Sequence, residues 1–362
     1  MHEELASPSL RFWSRRQVLS AAVRVGVSSL LLPRQANADA LKFAGRKIVF
    51  CGWGGFAQDA QKSCICDPFS AKTGTTVVQD GPMNNAKFLA MVEGGSPVWD
   101  VADVTIDFLY SNIQNNAFEP LDFKQIQTTN IASKYVNPHG IGTFVWSYNI
   151  GYNSKNLGPN DRPKNWADVF DLKKFPGQRS FRDRVTPMLE IALMADGVAP
   201  SALYPLDVDR AFRKLDTVKA STIWWKTNAQ SQQLINDGQV NVGVIVNGRA
   251  YDVASKGGNI GIEWEQNIQS VDYWVIPKGS ANVDVAHGLI NEMTQPENQA
   301  RLAELMAYAP TNPAAFEHIK EPLRPWLSTQ PENAAKGMQI SPSYWTPNLA
   351  ALTERWETWK LS

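Results

Sequence analysis

The sequence predicts an α/β protein of two lobes, each a mostly parallel sheet flanked by helices, joined by extended crossings. Three observations carry this. From residue 47 onward, short apolar runs alternate with helical patterns. Two long extended stretches, 143–153 and 271–277, interrupt that alternation without any helix signal. The chain also has 362 residues of 43% hydrophobic composition, enough for two separate cores.

Taken in order, 47–51 reads as a buried strand, 58–72 as a helix, 76–79 as a strand, 86–93 as a helix and 101–104 as a strand followed by a helix over 108–115. This βαβαβα series implies parallel strands with helices on both faces and binding chemistry at the loops after the strands. The stretch 143–153 (TFVWSYNIGYN) is long, aromatic and extended, as a chain passing from one lobe to the other must be. A second α/β series follows: helix 166–170, strand 178–181, helices 188–195 and 208–219, strand 222–225, helix 231–236 and strand 240–246. The second crossing, 271–277, precedes two helices ending near Tyr308, and the proline-rich 321–347 reads as a tail laid over the surface. The division is therefore 41–146 plus 273–309 for lobe 1, and 147–270 plus 314–362 for lobe 2.

Equal counts of 35 basic and 35 acidic residues, with only 19% charged, exclude an electrostatic nucleic-acid binder. Residues 1–38 form an export signal: Ser14-Arg15-Arg16-Gln17-Val18-Leu19 is a twin-arginine region, an apolar stretch follows, and Ala36-Asn37-Ala38 is a small-x-small cleavage site. Cleavage near Ala38 removes five Arg and two Glu, leaving 30 basic against 33 acidic side chains. The working protein is thus expected in the periplasm. Cys51 and Cys66 read as buried small residues, and a metal site is disfavoured because Cys64 and Cys66 point to nearly opposite sides of a helix. A disulfide between two of the three stays open.

Gly52-Trp53-Gly54-Gly55-Phe56-Ala57 follows a strand, opens a helix and fits G-x-G-x-x-G/A, with Asp80 at the end of the next strand. Taken literally this is a dinucleotide fingerprint, and an exported NAD(P)-dependent oxidoreductase is the alternative reading. Against it, Trp53 puts an indole where pyrophosphate needs bare backbone, and Asp59 puts a carboxylate in the first helical turn. No cofactor is therefore expected. The sequence has no G-x-S-x-G, no H-E-x-x-H and no phosphate-binding loop, and its histidines are scattered, so no catalytic residue is assigned. What remains is a set of aromatic and charged residues at strand ends and in the crossings: Trp53, Phe56, Thr105, Asp107, Arg182, Arg184, Arg249, Asp272, Tyr273 and Trp274. Aromatic walls with a few oriented charges suit a small organic ion. Of the 13 tryptophans, Trp166, Trp356 and Trp359 read as packing.

Several short motifs appear in one order from residue 47 to the end: Trp53 after the first strand, Asn165-Trp166-Ala167-Asp168-Val169-Phe170 ahead of Lys174-Phe175-Pro176-Gly177, Val246-Asn247-Gly248-Arg249, Asp272 before Val275-Ile276-Pro277, Tyr308-Ala309-Pro310-Thr311-Asn312, and the Trp-rich last helix. Together they resemble the spermidine/putrescine-type periplasmic solute-binding proteins of bacterial ABC importers. The resemblance implies a type II periplasmic binding protein without catalysis. Such a protein is a monomer that closes on a small molecule and docks on an ABC permease in the inner membrane. It also places the family's stacking Trp at Trp53, its nearby aromatic at Phe56, its small hydroxyl residue at Thr105 and its crossing carboxylate at Asp272, while Asp107 stands where Tyr is common. Arg184 and Pro187 stand where the family offers acids to amines, Val246 replaces the Trp before Asn-Gly, and Ser270 replaces another Trp. An Arg facing a closed cleft repels a diamine. The expected ligand is therefore a small charged organic solute, a polyamine or, in better accord with these departures, an amine-carboxylate such as γ-aminobutyrate or an amino acid, its amine at Asp107 or Asp272 and its acid at Arg184 or Arg249. Iron(III) is disfavoured because adjacent tyrosines are missing.

Overall fold

The computed structural model describes residues 42–362. The twin-arginine motif and the Ala38 cleavage site lie outside the described residues. The strands run β1 (Lys47–Cys51), β2 (Thr76–Asp80), β3 (Val101–Thr105), β4 (Val136–Asn137), β5 (Gly140–Asn153), β6 (Arg179–Arg182), β7 (Thr222–Trp225), β8 (Val242–Val246), β9 (Ile260–Val275), β10 (Ala309–Pro310) and β11 (Met338–Gln339). They form one sheet of order β2-β1-β3-β9-β5-β8-β6-β7, with β4 and β10 on β5 and β11 on β9.

In the first lobe β2, β1 and β3 are parallel. The helical rod after β1 runs Gly55–Gln61, then one π-turn Lys62–Cys66, then Asp67–Thr73. Pro68 explains the π-turn: lacking an N–H, it cannot bond the carbonyl of Cys64 in an α-helical ladder. Gly74, at φ 73°, ends the rod in the left-handed conformation. In the second lobe β7, β6 and β8 are parallel. Its helices start at side-chain caps. Asp207 accepts from the Arg210 N–H at 3.0 Å, and Thr227 forms a capping box with Gln230.

The crossings are more extensive than the sequence suggests. β5 and β9 have 14 and 16 residues and pair antiparallel through both lobes, so the two sheets fuse into one. Bulges between Gly142/Phe144 and Tyr148/Ile150 bend the pair where the lobes meet. Asn247, fully buried, ties the joint: it accepts from the Ser147 N–H at 3.0 Å and donates to the Ala307 and Trp326 carbonyls at 2.8 and 3.0 Å. Gly248 beside it has no room for a side chain, since a Cβ would sit 2.4 Å from the Met306 carbonyl and 2.5 Å from the Tyr308 ring.

One core packs around Phe50, Phe88, Trp99 and Trp274, another around Trp166, Phe181, Trp225, Trp345 and Trp356. Two expectations need correction. The 321–347 segment is not a surface tail, because Leu323, Leu327, Ser328, Asn333 and Trp345 are buried. Ala315, Ile319, Leu323 and Leu327 also join the first core, although 314–362 reads from sequence as second-lobe chain. The physical reason is that the chain after β10 returns along the crossing strands before the helix Pro342–Leu361 sets Trp345 and Trp356 in the second core while lying against the first lobe's helix Ile106–Asn112. All three cysteines are buried free thiols.

Candidate functional site

Strand carboxyl ends from both lobes face one cleft, whose inner part is a cavity of about 320 Å³ lined by Trp53, Thr105, Trp146, Arg182, Arg184, Arg249, Asp272 and Tyr308, among others. Register explains who faces it. Thr105 pairs with Asp272 and Asp103 with Trp274, so these four share one face of the sheet. On β5 the alternating Phe144, Trp146 and Tyr148 present one aromatic face, with Phe144 opposite Asp272 and Trp146 opposite Ser270. Trp146 Nε1 donates to Asp272 Oδ1 at 2.9 Å, Trp146 meets Tyr148 edge-on at 5.0 Å, and Tyr308 stacks on Phe144 at 5.3 Å.

The floor is acidic and dry. Asp272 is only 5% exposed, and burial, with the Asp107 charge adding to it, pushes its carboxyl up to about 7 against the pull of the Trp146 hydrogen bond. Beneath it Asp103 is fully buried, and desolvation together with Asp272 raises it well above the usual carboxylate range. The opposite wall is basic. Arg182 lies 5.2 Å over the Tyr148 ring and 5.8 Å over the Trp225 ring, and burial, with Arg184 beside it, depresses it to about 9. Among the described residues neither an ion pair nor a hydrogen bond engages its guanidinium; Arg184 Nη2, in contrast, donates to Asp107 Oδ2 at 3.3 Å across the cleft.

Trp53, Thr105, Arg184, Arg249 and Asp272 thus lie together on the inner cavity, as read from sequence. Asp107 sits in a small recess beside it with Thr105, Trp146 and Arg184. Phe56 lies at the mouth, 52% exposed, in an outer groove shared with Arg249, Tyr251 and Leu305. Tyr273 does not reach the cleft. It follows Asp272 in a strand, so it points to the other face, where it is buried and its hydroxyl donates to the Lys134 carbonyl at 3.2 Å. Trp274 is likewise core. The sequence reading missed Trp146, Tyr148, Tyr308 and Asp103; the period-2 aromatics of 143–153 were the available signal.

The glycine turn at Trp53 is filled by its own side chains. Gly54 N–H donates to Gln58 Oε1 at 2.9 Å, and Gln58 Nε2 donates to the Asp80 carbonyl at 2.7 Å. Asp80 itself accepts from Trp99 Nε1 at 2.6 Å, Lys87 Nζ at 3.2 Å and the Gly81 N–H at 2.8 Å. A pyrophosphate and a ribose would both meet occupied partners.

A cleft of this architecture has known counterparts. The family model described as bacterial extracellular solute-binding protein matches residues 65–335. The chain belongs to that family. A gamma-aminobutyric acid-binding protein of Pseudomonas aeruginosa is 30% identical to this solute-binding protein over 340 residues, 92% of this chain and 96% of the relative. The spermidine/putrescine-binding periplasmic protein of Escherichia coli is 20% identical over 84% of this chain and 86% of its own length. A solved GABA receptor structure superposes with TM-score 0.82 at 38% identity, covering 87% of this chain and 98% of that one. The fold is the two-lobed type II architecture of such proteins, which bind small molecules and deliver them to ABC permeases. Among the described residues no helix is long and apolar enough to cross a membrane.

Proposed function

We propose that this solute-binding protein works in the periplasm after twin-arginine export and cleavage near Ala38, as a monomer, capturing a small ω-amino acid of the 4-aminobutyrate type for an ABC permease and catalysing no reaction. The observation that carries this is the polarity of the cleft: a buried acid, Asp272, on one lobe's strand and a guanidinium, Arg182, unpaired among the described residues, on the other's, with aromatic rings between them. The ammonium lies at Asp272 beside Trp53 and Trp146, and the carboxylate at Arg182 with Arg249 completing the wall. Thr105, whose side chain caps no helix N–H, is free to hydrogen-bond the ligand. The Asp107–Arg184 pair bridges the lobes and shows the arrangement in miniature, acid from one side and guanidinium from the other. Its mutual neutralisation is why the amine is assigned to Asp272 rather than Asp107.

Ligand contact with both lobes favours the closed state by its differential affinity. The affinity for GABA of the relative named for it supports this reading. A thermal-shift screen of the mature protein against polyamines, amino acids, carboxylates, phosphonates and NAD(P) tests it. A stabilising shift with 4-aminobutyrate is expected; a shift with NAD(P) alone overturns the reading.

A further inference from the structure

Below the ligand face lies a group that the capture of a zwitterion does not by itself require. Asp103 is a carboxylate in the middle of the apolar strand β3, with none of its surface exposed. Gln61 Nε2 donates to its Oδ2 at 2.5 Å, while Oδ1 has no hydrogen-bond partner of ordinary geometry among the described residues. The buried indole N–H groups of Trp53 and Trp274, which among the described residues make no hydrogen bond of ordinary geometry, face this carboxylate and with Gln61 pull it down against the stronger effect of burial. Diagonally across the β3/β9 ladder on the same face is Asp272, whose Oδ1 is held by Trp146. The other charged groups facing the pair are Asp107 at the start of the helix Ile106–Asn112, Arg182 and Arg184 from β6 and the turn after it, and Arg249 from the helix Asn247–Ala254. Neutral titratable neighbours are Cys51 on β1 and Tyr308. No cation pairs with Asp103 or Asp272 among the described residues.

We infer that Asp103 and Asp272 form a carboxylate dyad that holds a proton in the empty cleft and gives it up when the ligand's ammonium arrives. Two acids this close and this dry do not both ionise without a counter-ion. The ammonium is that counter-ion: its positive charge enters, one O–H bond of the dyad breaks, and the proton leaves to buffer. Asp103 is thus a specificity-determining residue beneath the site. The dyad rewards a cation with a charge interaction, and a neutral ligand leaves it protonated. The inference rests on the reading that the amine binds at Asp272.

The sign follows from that exchange. At acid pH the dyad is protonated and the ammonium must displace the proton, so affinity is low; as pH rises through the dyad's titration, affinity increases and then levels off. With Asp272 near 7, the apparent affinity for 4-aminobutyrate rises about tenfold between pH 6 and pH 8.

Isothermal titration calorimetry of the mature protein with 4-aminobutyrate, at pH 6, 7 and 8 in two buffers of different ionisation enthalpy, counts the protons released. Release close to one per ligand at pH 6, falling toward zero at pH 8, is the expected result. Binding without proton release at all three pH values overturns the dyad and leaves the ligand assignment standing. No binding at any pH overturns the ligand assignment itself. In D103N, an isosteric neutral change, a proton shared between the two acids loses one of its two sites, so proton release at pH 7 changes while binding at pH 8 persists. Unchanged release in a D103N protein with native melting behaviour refutes the shared proton. Should D103N fail to fold, the wild-type proton count decides alone.

Discussion

Replacing Arg182 by Met separates ligand affinity from stability by sign. In the empty protein the guanidinium is partly buried between Tyr148 and Trp225, beside Arg184 and without an acidic partner among the described residues. Burial of a cation without a counter-ion costs stability, and since its protonation is depressed toward about 9, that cost is fully present at neutral pH and relieved only as pH rises above 9. Met keeps the stem's packing against the two rings and removes the charge. The empty R182M protein should be more stable by roughly 1–2 kcal/mol, or about 2–6 °C for a unit of this size. Binding moves the other way. A charge-assisted hydrogen bond to the ligand carboxylate contributes about 1.5–3 kcal/mol, so affinity for 4-aminobutyrate should fall by about 10- to 150-fold. Differential scanning fluorimetry of the empty protein and calorimetric titration measure the two effects. Wild-type affinity in R182M, or a lowered melting temperature without ligand, refutes the assignment of Arg182 as the carboxylate anchor.

Three further outcomes follow from the same structure. W146F removes the indole that donates to Asp272 and should weaken 4-aminobutyrate binding by about tenfold with little change in melting temperature; equal affinity would show that this hydrogen bond does not serve the site. Glu190 is fully buried, takes hydrogen bonds from Tyr204 and Trp345 at 2.8 and 2.6 Å, and is raised by desolvation. An acid raised in the folded state makes stability fall as pH climbs from its ordinary range through the raised value, so E190Q should melt higher than wild type at pH 8 and lose that advantage toward pH 5; parallel melting curves contradict this. Burial pushes the thiols of Cys51 and Cys66 up to about 12 and raises Cys64, so a thiol reagent at pH 8 should label the native protein far more slowly than the denatured one, where three thiols react.

Much of the fold was legible because its signals are local. Helices 166–170 and 208–219 and strand 222–225 fall where the apolar runs put them, and in the structure Asn165 and Asp207 cap the two helices. The fused sheet was not legible, because β9 begins at Ile260 in a stretch whose Glu263 and Glu265 interrupt the apolar pattern that marks a strand. Trp53, Thr105 and Asp272, expected at a site from their positions after strands and in the crossing, line the inner cavity. Tyr273 was misplaced although strand alternation sends neighbours of Asp272 to the opposite face. Asp103 was hidden for the opposite reason: a single acid within VADVT reads as a strand interior, and only pairing reveals Asp272 diagonal to it. The 321–347 segment misled because proline suggests a surface path, whereas here the chain buries Leu323 and Leu327 against the first core between its prolines.

The central claim is that the cleft recognises one molecule carrying both charges. Titration calorimetry at pH 8 of 4-aminobutyrate, putrescine and butyrate against the mature protein tests it most directly, since the three share a four-carbon chain and differ only in their ends. The account predicts measurable binding of 4-aminobutyrate, with putrescine and butyrate each at least about tenfold weaker, because each leaves either Arg182 or Asp272 without its counter-charge. Putrescine as the tightest of the three would contradict it.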